Sequence, residues 1–262
     1  GLAMTALTAM IVGRNENWVY TLATSGMYWG FAIAEIVLVL FLSARIHKLS
    51  FATAGLMFAA YAILNGVTMS IIMLAYTAES IAQAFTQIGE QFGVIHGIVH
   101  SVAFAHAEDL RNRFVETSRD GYAFAQDTSA YSLIAVAKAA KPYMTEGGSI
   151  VTMSYLGAER VLDGYNVMGV AKAALEASMR YLAADIGADN IRVNAISAGA
   201  IRTLAAKGVP SFNQILHKIE ETAPLKRNTN QEEVADMTIV MLSHLSRGVT
   251  GETIYIDSGY NI

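Results

Sequence analysis

The chain has 262 residues, a net charge of −4 and a pI near 5.9, a length that fits one large α/β domain with a substantial core. That acidic balance, without any basic stripe, excludes the counterion-releasing surface of a nucleic-acid binder, and zero cysteines exclude disulfides, thiolate nucleophiles and thiolate metal sites. Charged residues make up only 15% of the chain, against ~25% in ordinary soluble domains, and that average hides two unlike halves.

Residues 1–79 carry only Arg14, Glu16, Glu35, Arg45, Lys48 and Glu79 as charges. Gly1 to Gly13 is uncharged and no initiator Met precedes it, so the chain reads as cut from something longer. Leu22 to Leu42 is 21 residues interrupted only by Glu35, and Phe51 to Tyr76 is 26 residues without a charge. Each exceeds the ~18 to 20 apolar residues that cross a hydrocarbon core. Two such stretches joined by the basic turn Ser43-Ala44-Arg45-Ile46-His47-Lys48-Leu49-Ser50 favour membrane spans over buried helices of a soluble protein. Together with Ala6-Leu7-Thr8-Ala9, Ala34-Glu35-Ile36-Val37-Leu38 and Tyr61-Ala62-Ile63-Leu64-Asn65-Gly66, that turn resembles the Bax inhibitor-1 family of multi-span membrane proteins. A carboxylate such as Glu35 inside a span is a functional candidate by default, paired with a polar group on another helix.

From Ser80 the texture alternates between helix and strand patterns, which predicts a parallel sheet covered on both faces. Ser80 to Phe92 reads as helix, Ile95 to Ala103 as strand, and about Ser118 to Met144 as one long helix stopped by Gly147-Gly148. Further on, Ile191 to Ala198 reads as strand, Gln231 to Leu245 as helix and Thr253 to Asp257 as a last strand. His96, His100 and His106 have no carboxylate or thiol at metal spacing, so satisfied or exposed histidines are favoured over ligands and no metal is expected. Glu108 and Asp109 read as solvated charges.

The centre of the chain carries the chemistry. Ser149 to Met153 is an apolar, β-branched run that predicts a buried parallel strand, and apolar spacing predicts a helix from Tyr165 to Ile186. Ligands of open α/β sheets bind at the carboxyl ends of strands, which places a site in the intervening loop. Tyr165 and Lys172 are seven apart, about two helical turns, so both side chains leave one helix face toward the same crevice. A bare Tyr-x6-Lys pair most simply reads as two amphipathic side chains on a half-exposed helix. The neighbours are more specific: Tyr155-Leu156-Gly157-Ala158-Glu159-Arg160, Tyr165-Asn166-Val167-Met168-Gly169, Ala171-Lys172-Ala173 and Arg192-Val193-Asn194-Ala195-Ile196-Ser197-Ala198-Gly199. Across residues 80–262 these resemble the NADH-dependent enoyl-acyl carrier protein reductases of bacterial fatty-acid synthesis, in the short-chain dehydrogenase superfamily.

The resemblance implies a Rossmann-like, doubly wound parallel sheet and reduction of a trans-2-enoyl thioester on acyl carrier protein, with NADH as cofactor. It implies Tyr165 as donor to the thioester oxygen, Tyr155 beside the thioester, and Lys172 on the nicotinamide ribose. Ser101 and Val102, in Ser101-Val102-Ala103-Phe104-Ala105, match the dinucleotide loop, and Ile201 and Thr203 match contacts to the carboxamide. Alanine stands at Ala200 where the family usually has proline, and Leu204 to Phe212 matches a mobile substrate loop. Family members are cytoplasmic homotetramers. The fold expected is therefore the C-terminal part of such a sheet, residues 80–262 without the family's first three strands, preceded by a hydrophobic, membrane-type helical segment at 1–79. The strand, glycine turn and helix that should hold the pyrophosphate are not readable before Ser80. Ser25-Gly26-Met27-Tyr28-Trp29-Gly30 is the nearest candidate, but the spacing of Gly26 and Gly30 fits close approach of membrane helices better. Basic Arg45 and Lys48 would place Ser80 on the outer side of a membrane, away from NADH. A second reading is thus a fused membrane protein of Bax inhibitor-1 type, membrane-associated through 1–79, with an inactive reductase tail.

Overall fold

The computed structural model describes residues 27–45, 51–74, 78–202 and 212–262, with a few isolated positions before residue 27. The chain divides into two compact units, Gly1–Ile81 and Ala82–Ile262. In the first, α1 (Met27–Arg45) and α2 (Phe51–Leu74) occupy the two apolar stretches. Over its described residues, no helix is long and apolar enough to cross a membrane. The partner expected for Glu35 is present in the same unit. Its carboxylate on α1 accepts from the Asn65 amide and, at 3.2 Å, from the Thr68 hydroxyl on α2. A shared polar cluster thus lies in the middle of the apolar texture. Helices stand in both stretches, but the expectation that they are membrane-type is corrected by the absence of a membrane-crossing helix among the described residues, and nothing among those residues supports the resemblance of 1–79 to Bax inhibitor-1 proteins.

The second unit is a sheet of four parallel strands in the order β1 (Gly97–His100), β2 (Gly148–Ser154), β3 (Ile191–Ala198), β4 (Thr253–Ile256). The period of two along each strand sends alternate side chains to opposite layers. Ile150, Val193 and Ala195 pack with Leu133 and Ala137 of α6 (Ser132–Ala140) and with Leu175, Met179 and Ala183 of α7 (Asn166–Ile186). Val151 and Ile196 face the other way, onto Val234, Met237 and Met241 of α9 (Gln231–Leu242). Helices on both faces explain why β2 and β3 are nearly continuous apolar runs rather than alternating ones. Phe85 of α3 (Ala78–Phe92) joins the first layer, and Leu216 and Ile219 of α8 (Phe212–Thr222) form a smaller cluster with Ala200.

Two expected elements differ. The strand expected over Ile95 to Ala103 pairs only from Gly97 to His100, because the chain then leaves the ladder and Phe104 gives both its backbone groups to the Ser129 hydroxyl. The long helix expected from Ser118 to Met144 is broken into α5 (Arg119–Gln126), a π-turn (Asp127–Tyr131), α6 and a 3₁₀ turn (Lys141–Tyr143), after α4 (Ala107–Arg111). Hydroxyls bonding back to helix carbonyls compete with regular winding, and here Ser132 donates to the Thr128 carbonyl at 2.6 Å. Local signals terminate other elements as expected: Ser118 caps α5, and Asn230 with Glu233 forms a reciprocal capping box on α9.

The polar residues of the third strand are structural. Arg192 donates to the carbonyls of Met241 and Ser243 at 3.0 and 3.1 Å, which satisfies the carboxyl end of α9. Asn194, fully buried, donates to Val249 and accepts from Glu252. Leu175, with no exposure and packed between α6 and the sheet, sets a quantitative expectation. Leu175→Ala should lower unfolding stability by about 2–5 kcal/mol, read as a shift of the urea midpoint at unchanged slope; a loss under about 1 kcal/mol would show that the two layers do not meet there.

Candidate active site

The carboxyl ends of β1, β2 and β3 lie along one edge of the sheet, and each is followed by predicted site residues. After β1 come Ser101, exposed, and Val102, half-buried. After β2, Tyr155 leaves the strand in extended backbone (φ −155°, ψ 150°) and a 3₁₀ turn, Leu156–Ala158, turns the chain back. After β3, Ile201 is half-buried, while Thr203 and residues 204–211 lie outside the described residues.

Tyr165 stands at the amino end of α7 (φ −101°, ψ −29°). Its ring meets that of Tyr155 edge to face, with centroids 5.0 Å apart and an interplanar angle of 72°. Two glycines make the space. A Cβ on Gly157 would lie 2.3 Å from the Tyr165 ring, and one on Gly169 would lie 2.8 Å from the Gly157 carbonyl oxygen. The next residue, Asn166, adopts φ +36°, a region asparagine tolerates better than most. Its amide donates to the carbonyls of Leu110 and Asn112 at 3.1 and 2.8 Å, which anchors the helix start.

Lys172 is only 6% exposed. Its ammonium donates to the Met153 carbonyl at 2.6 Å, and it has no other acceptor among the described residues. Burial pulls its pKa down to about 8, opposed by the charge of Glu176. Glu176, one turn further along α7 and also buried, accepts from the Ser154 hydroxyl. Burial raises its pKa, while the Ser154 hydrogen bond pulls the other way. Burial, with a smaller contribution from Tyr260, pushes the Tyr155 phenol up to about 12. Burial, with Tyr155 second, pushes Tyr165 still higher. Both phenols therefore remain proton donors throughout the neutral range. A cavity of about 250 Å³ opens beside Tyr155, walled by Leu162, Ile215 and Tyr260 with Asp163, Gln214 and Lys218 at its polar side.

The structure thus brings Tyr155 and Tyr165 together and ties Lys172 to the strand that ends in Tyr155. It sets Ser101 and Val102 at the end of the adjacent strand. Of the histidines, His96 is exposed beside Glu146 (3.3 Å), His106 stacks on Phe124 (4.7 Å), and His100 is buried. Among the described residues no group of three His, Asp or Glu side chains is placed to hold a metal. Asp109 is buried against Gly121 rather than solvated as expected. Sequence reasoning missed Glu176, Asn166, Tyr260 and the surroundings of His100. The i,i+4 spacing of Lys172 and Glu176 was a usable signal; the others depend on contacts distant in sequence.

The depressed lysine has a consequence for stability. Between about 8 and 10.5 the unfolded chain holds a proton that the folded chain has released, so stability rises with pH across that window. Above about pH 10 the tyrosines, whose folded pKa values are raised, begin to act in the opposite direction. Urea midpoints at pH 8 and 9.5 should therefore rise for the parent chain and rise less for Lys172→Met. Equal changes in the two would contradict a buried, proton-releasing Lys172.

A family model described as Enoyl-(Acyl carrier protein) reductase matches residues 72–261. The NADH enoyl-acyl-carrier-protein reductase FabI of Bacillus cereus is 60% identical over 184 residues, 70% of this chain and 72% of the relative. The NADPH enoyl-acyl-carrier-protein reductase FabI of Staphylococcus aureus is 61% identical over 183 residues, again 70% of this chain and 72% of the relative. The crystal structure of the Bacillus cereus enoyl-acyl carrier protein reductase with NADP+ and indole naphthyridinone superposes with a TM-score of 0.70 at 58% identity, over 71% of this chain and 73% of that one. With paired tyrosines, a buried lysine and this degree of likeness, the chain belongs to the enoyl-acyl carrier protein reductase family.

Proposed function

We propose that this chain reduces trans-2-enoyl thioesters carried on acyl carrier protein in fatty-acid synthesis, with NADH as reductant, and that the reductase portion is residues 80–262. The observation that carries the reading is the edge-to-face pair of Tyr155 and Tyr165 at 5.0 Å, with buried Lys172 on the helix that Tyr165 begins. When bound, the dinucleotide supplies a hydride to the β-carbon of the enoyl group. The residues present fit its nicotinamide and ribose end. Lys172 spends one of three ammonium donors on Met153, which leaves two for ribose hydroxyls; Ser101, Val102 and Ile201 are assigned to the same end, and Thr203, outside the described residues, is assigned to it by sequence alone. Among the described residues no strand precedes β1, so a strand, turn and helix for the pyrophosphate is not among them.

Tyr165 is assigned as the donor to the thioester oxygen as negative charge develops there. A phenol held protonated by burial donates without reorganising, which is the requirement for oxyanion stabilisation. Tyr155 packs edge to face against that ring, at 72°, and itself lines the cavity assigned to the acyl thioester. Lys172 keeps the local potential positive and orients the ribose. Leu162, Ile215 and Tyr260 offer the apolar wall that an acyl chain requires. A ketoreductase reading is disfavoured because the tyrosine and lysine stand seven apart, not four.

Turnover of a crotonyl thioester, followed as loss of NADH or NADPH absorbance, tests the assignment. Tyr165→Phe should lower kcat by ~10² to 10³, the usual loss of one oxyanion donor, with little change in cofactor Kd. Lys172→Ala should instead weaken NADH binding, measured by isothermal titration. Full turnover in Tyr165→Phe, or oxidation of NADH independent of the enoyl thioester, would overturn the reading.

A further inference from the structure

His100 is the last residue of β1, and the loop Ser101–Ala105 begins directly after it. It is 3% exposed, and both ring nitrogens have hydroxyl partners. Nδ1 lies 2.8 Å from Oγ1 of Thr152, its register partner on β2, and Nε2 lies 2.9 Å from Oγ of Ser132 at the start of α6. Proton counting assigns the tautomer. A serine hydroxyl has one proton, and that of Ser132 is committed to the Thr128 carbonyl at 2.6 Å. Ser132 can therefore only accept from the ring, so Nε2 carries the hydrogen. Bare Nδ1 then accepts from the Thr152 hydroxyl, and every group in the chain from Thr152 to Thr128 is satisfied. Burial first, and the charge of Lys172 second, hold the ring neutral by lowering its pKa to about 4.

A second anchor holds the far end of the same loop. The fully buried Ser129 hydroxyl accepts from the Phe104 N–H at 2.9 Å and donates to the Phe104 carbonyl at 3.1 Å. Ser129 belongs to the π-turn and Ser132 follows it immediately. Single π-turns inside helices are concentrated at functional sites. Here the irregular turn and the first residue of α6 present two serines, three residues apart, to Phe104 in the loop and to His100 just before it.

We infer that His100 is a positioning residue, a neutral Nε2–H imidazole that bridges β2 to α6 and, with the Ser129–Phe104 clamp, fixes the loop Ser101–Ala105 at the edge of the active site. That this loop faces a dinucleotide rests on the proposed function; the bridge and the clamp do not. A second cation beside Lys172 would depress its ammonium further, so a neutral bridge also preserves the lysine's charge.

Nitrogen-15 NMR of the histidine-labelled chain, together with amide hydrogen exchange of the whole protein, tests the inference. His100 should show a protonated Nε2 and a bare Nδ1 from pH 8 down to 5. In His100→Phe the amides of residues 101–105, Phe104 above all, should exchange roughly 10-fold faster, the scale set by a lost hydrogen bond, while those of β3 remain protected. His100→Gln, whose amide can both accept from Thr152 and donate to Ser132, should restore much of the protection. Ser132→Ala, which removes only the acceptor, should loosen the loop in the same direction and serves if His100→Phe does not fold. A protonated Nδ1, a charged ring at pH 7, or unchanged loop exchange in the folded variants would overturn the inference. Neither readout needs cofactor or substrate, so failure of NADH to bind would strike the proposed function and leave these results to decide the bridge on their own.

Discussion

Burying the ammonium of Lys172 is the constraint on which the rest of the second unit depends. A cation removed from water needs a partner at short range, because its desolvation otherwise costs several kcal/mol. Here the partner is the carbonyl of Met153, two residues before Tyr155. One turn along the same helix, Glu176 takes the hydroxyl of Ser154. Two adjacent residues at the end of β2 are thus tied to two residues one turn apart on α7, and the strand end cannot slide or rotate against the helix without breaking both ties. Tyr155 and Tyr165 inherit their separation from that docking. The apolar layer beneath it, from Ile150 to Leu175 and Met179, supplies the rigidity.

The layered frame of residues 80–262 was legible in the sequence because its signals are local. Ile191 to Ala198 was expected as a strand and is one, bound for bound, and the α7 helix differs by a single residue. Continuous apolar strands and capped amphipathic helices announce themselves within a dozen residues. The break in the helix after Gln126 did not: besides the local bond of Ser132 to Thr128, Ser129 and Ser132 there answer Phe104 and His100, 25 and 32 residues away, after and at the end of β1. The tyrosines and Lys172 were readable because their spacing is fixed by one helix and one turn. Glu176 belongs to no sequence word that points to it, yet it faces inward onto Ser154.

The apolar texture before residue 80 shows the opposite case. Hydropathy alone cannot distinguish a lipid-facing helix from a helix in a protein, as both are depleted of charge. Among the described residues no helix there is long and apolar enough to cross a membrane, and Glu35, a charge within them, is held in its own unit by Asn65 and Thr68, 30 and 33 residues away. The same rule governs both units: a charge withdrawn from water, half-buried at Glu35 and buried at Lys172, is held by partners that its own neighbourhood in sequence does not contain.

The interlock of Gly157 with the ring of Tyr165 bears on how such a motif can vary over generations. The ring fills the space that any side chain at Gly157 would need, and the Gly157 carbonyl in turn closes the space at Gly169. Drift at either glycine is therefore admissible only with retreat of the ring, and the ring carries the phenol. Three positions separated by 8 and 4 residues along the chain behave as one heritable unit, whose members have no viable single-step neighbours that keep the hydroxyl in place. Their mutual dependence follows from volume, independently of any contact they make with a ligand.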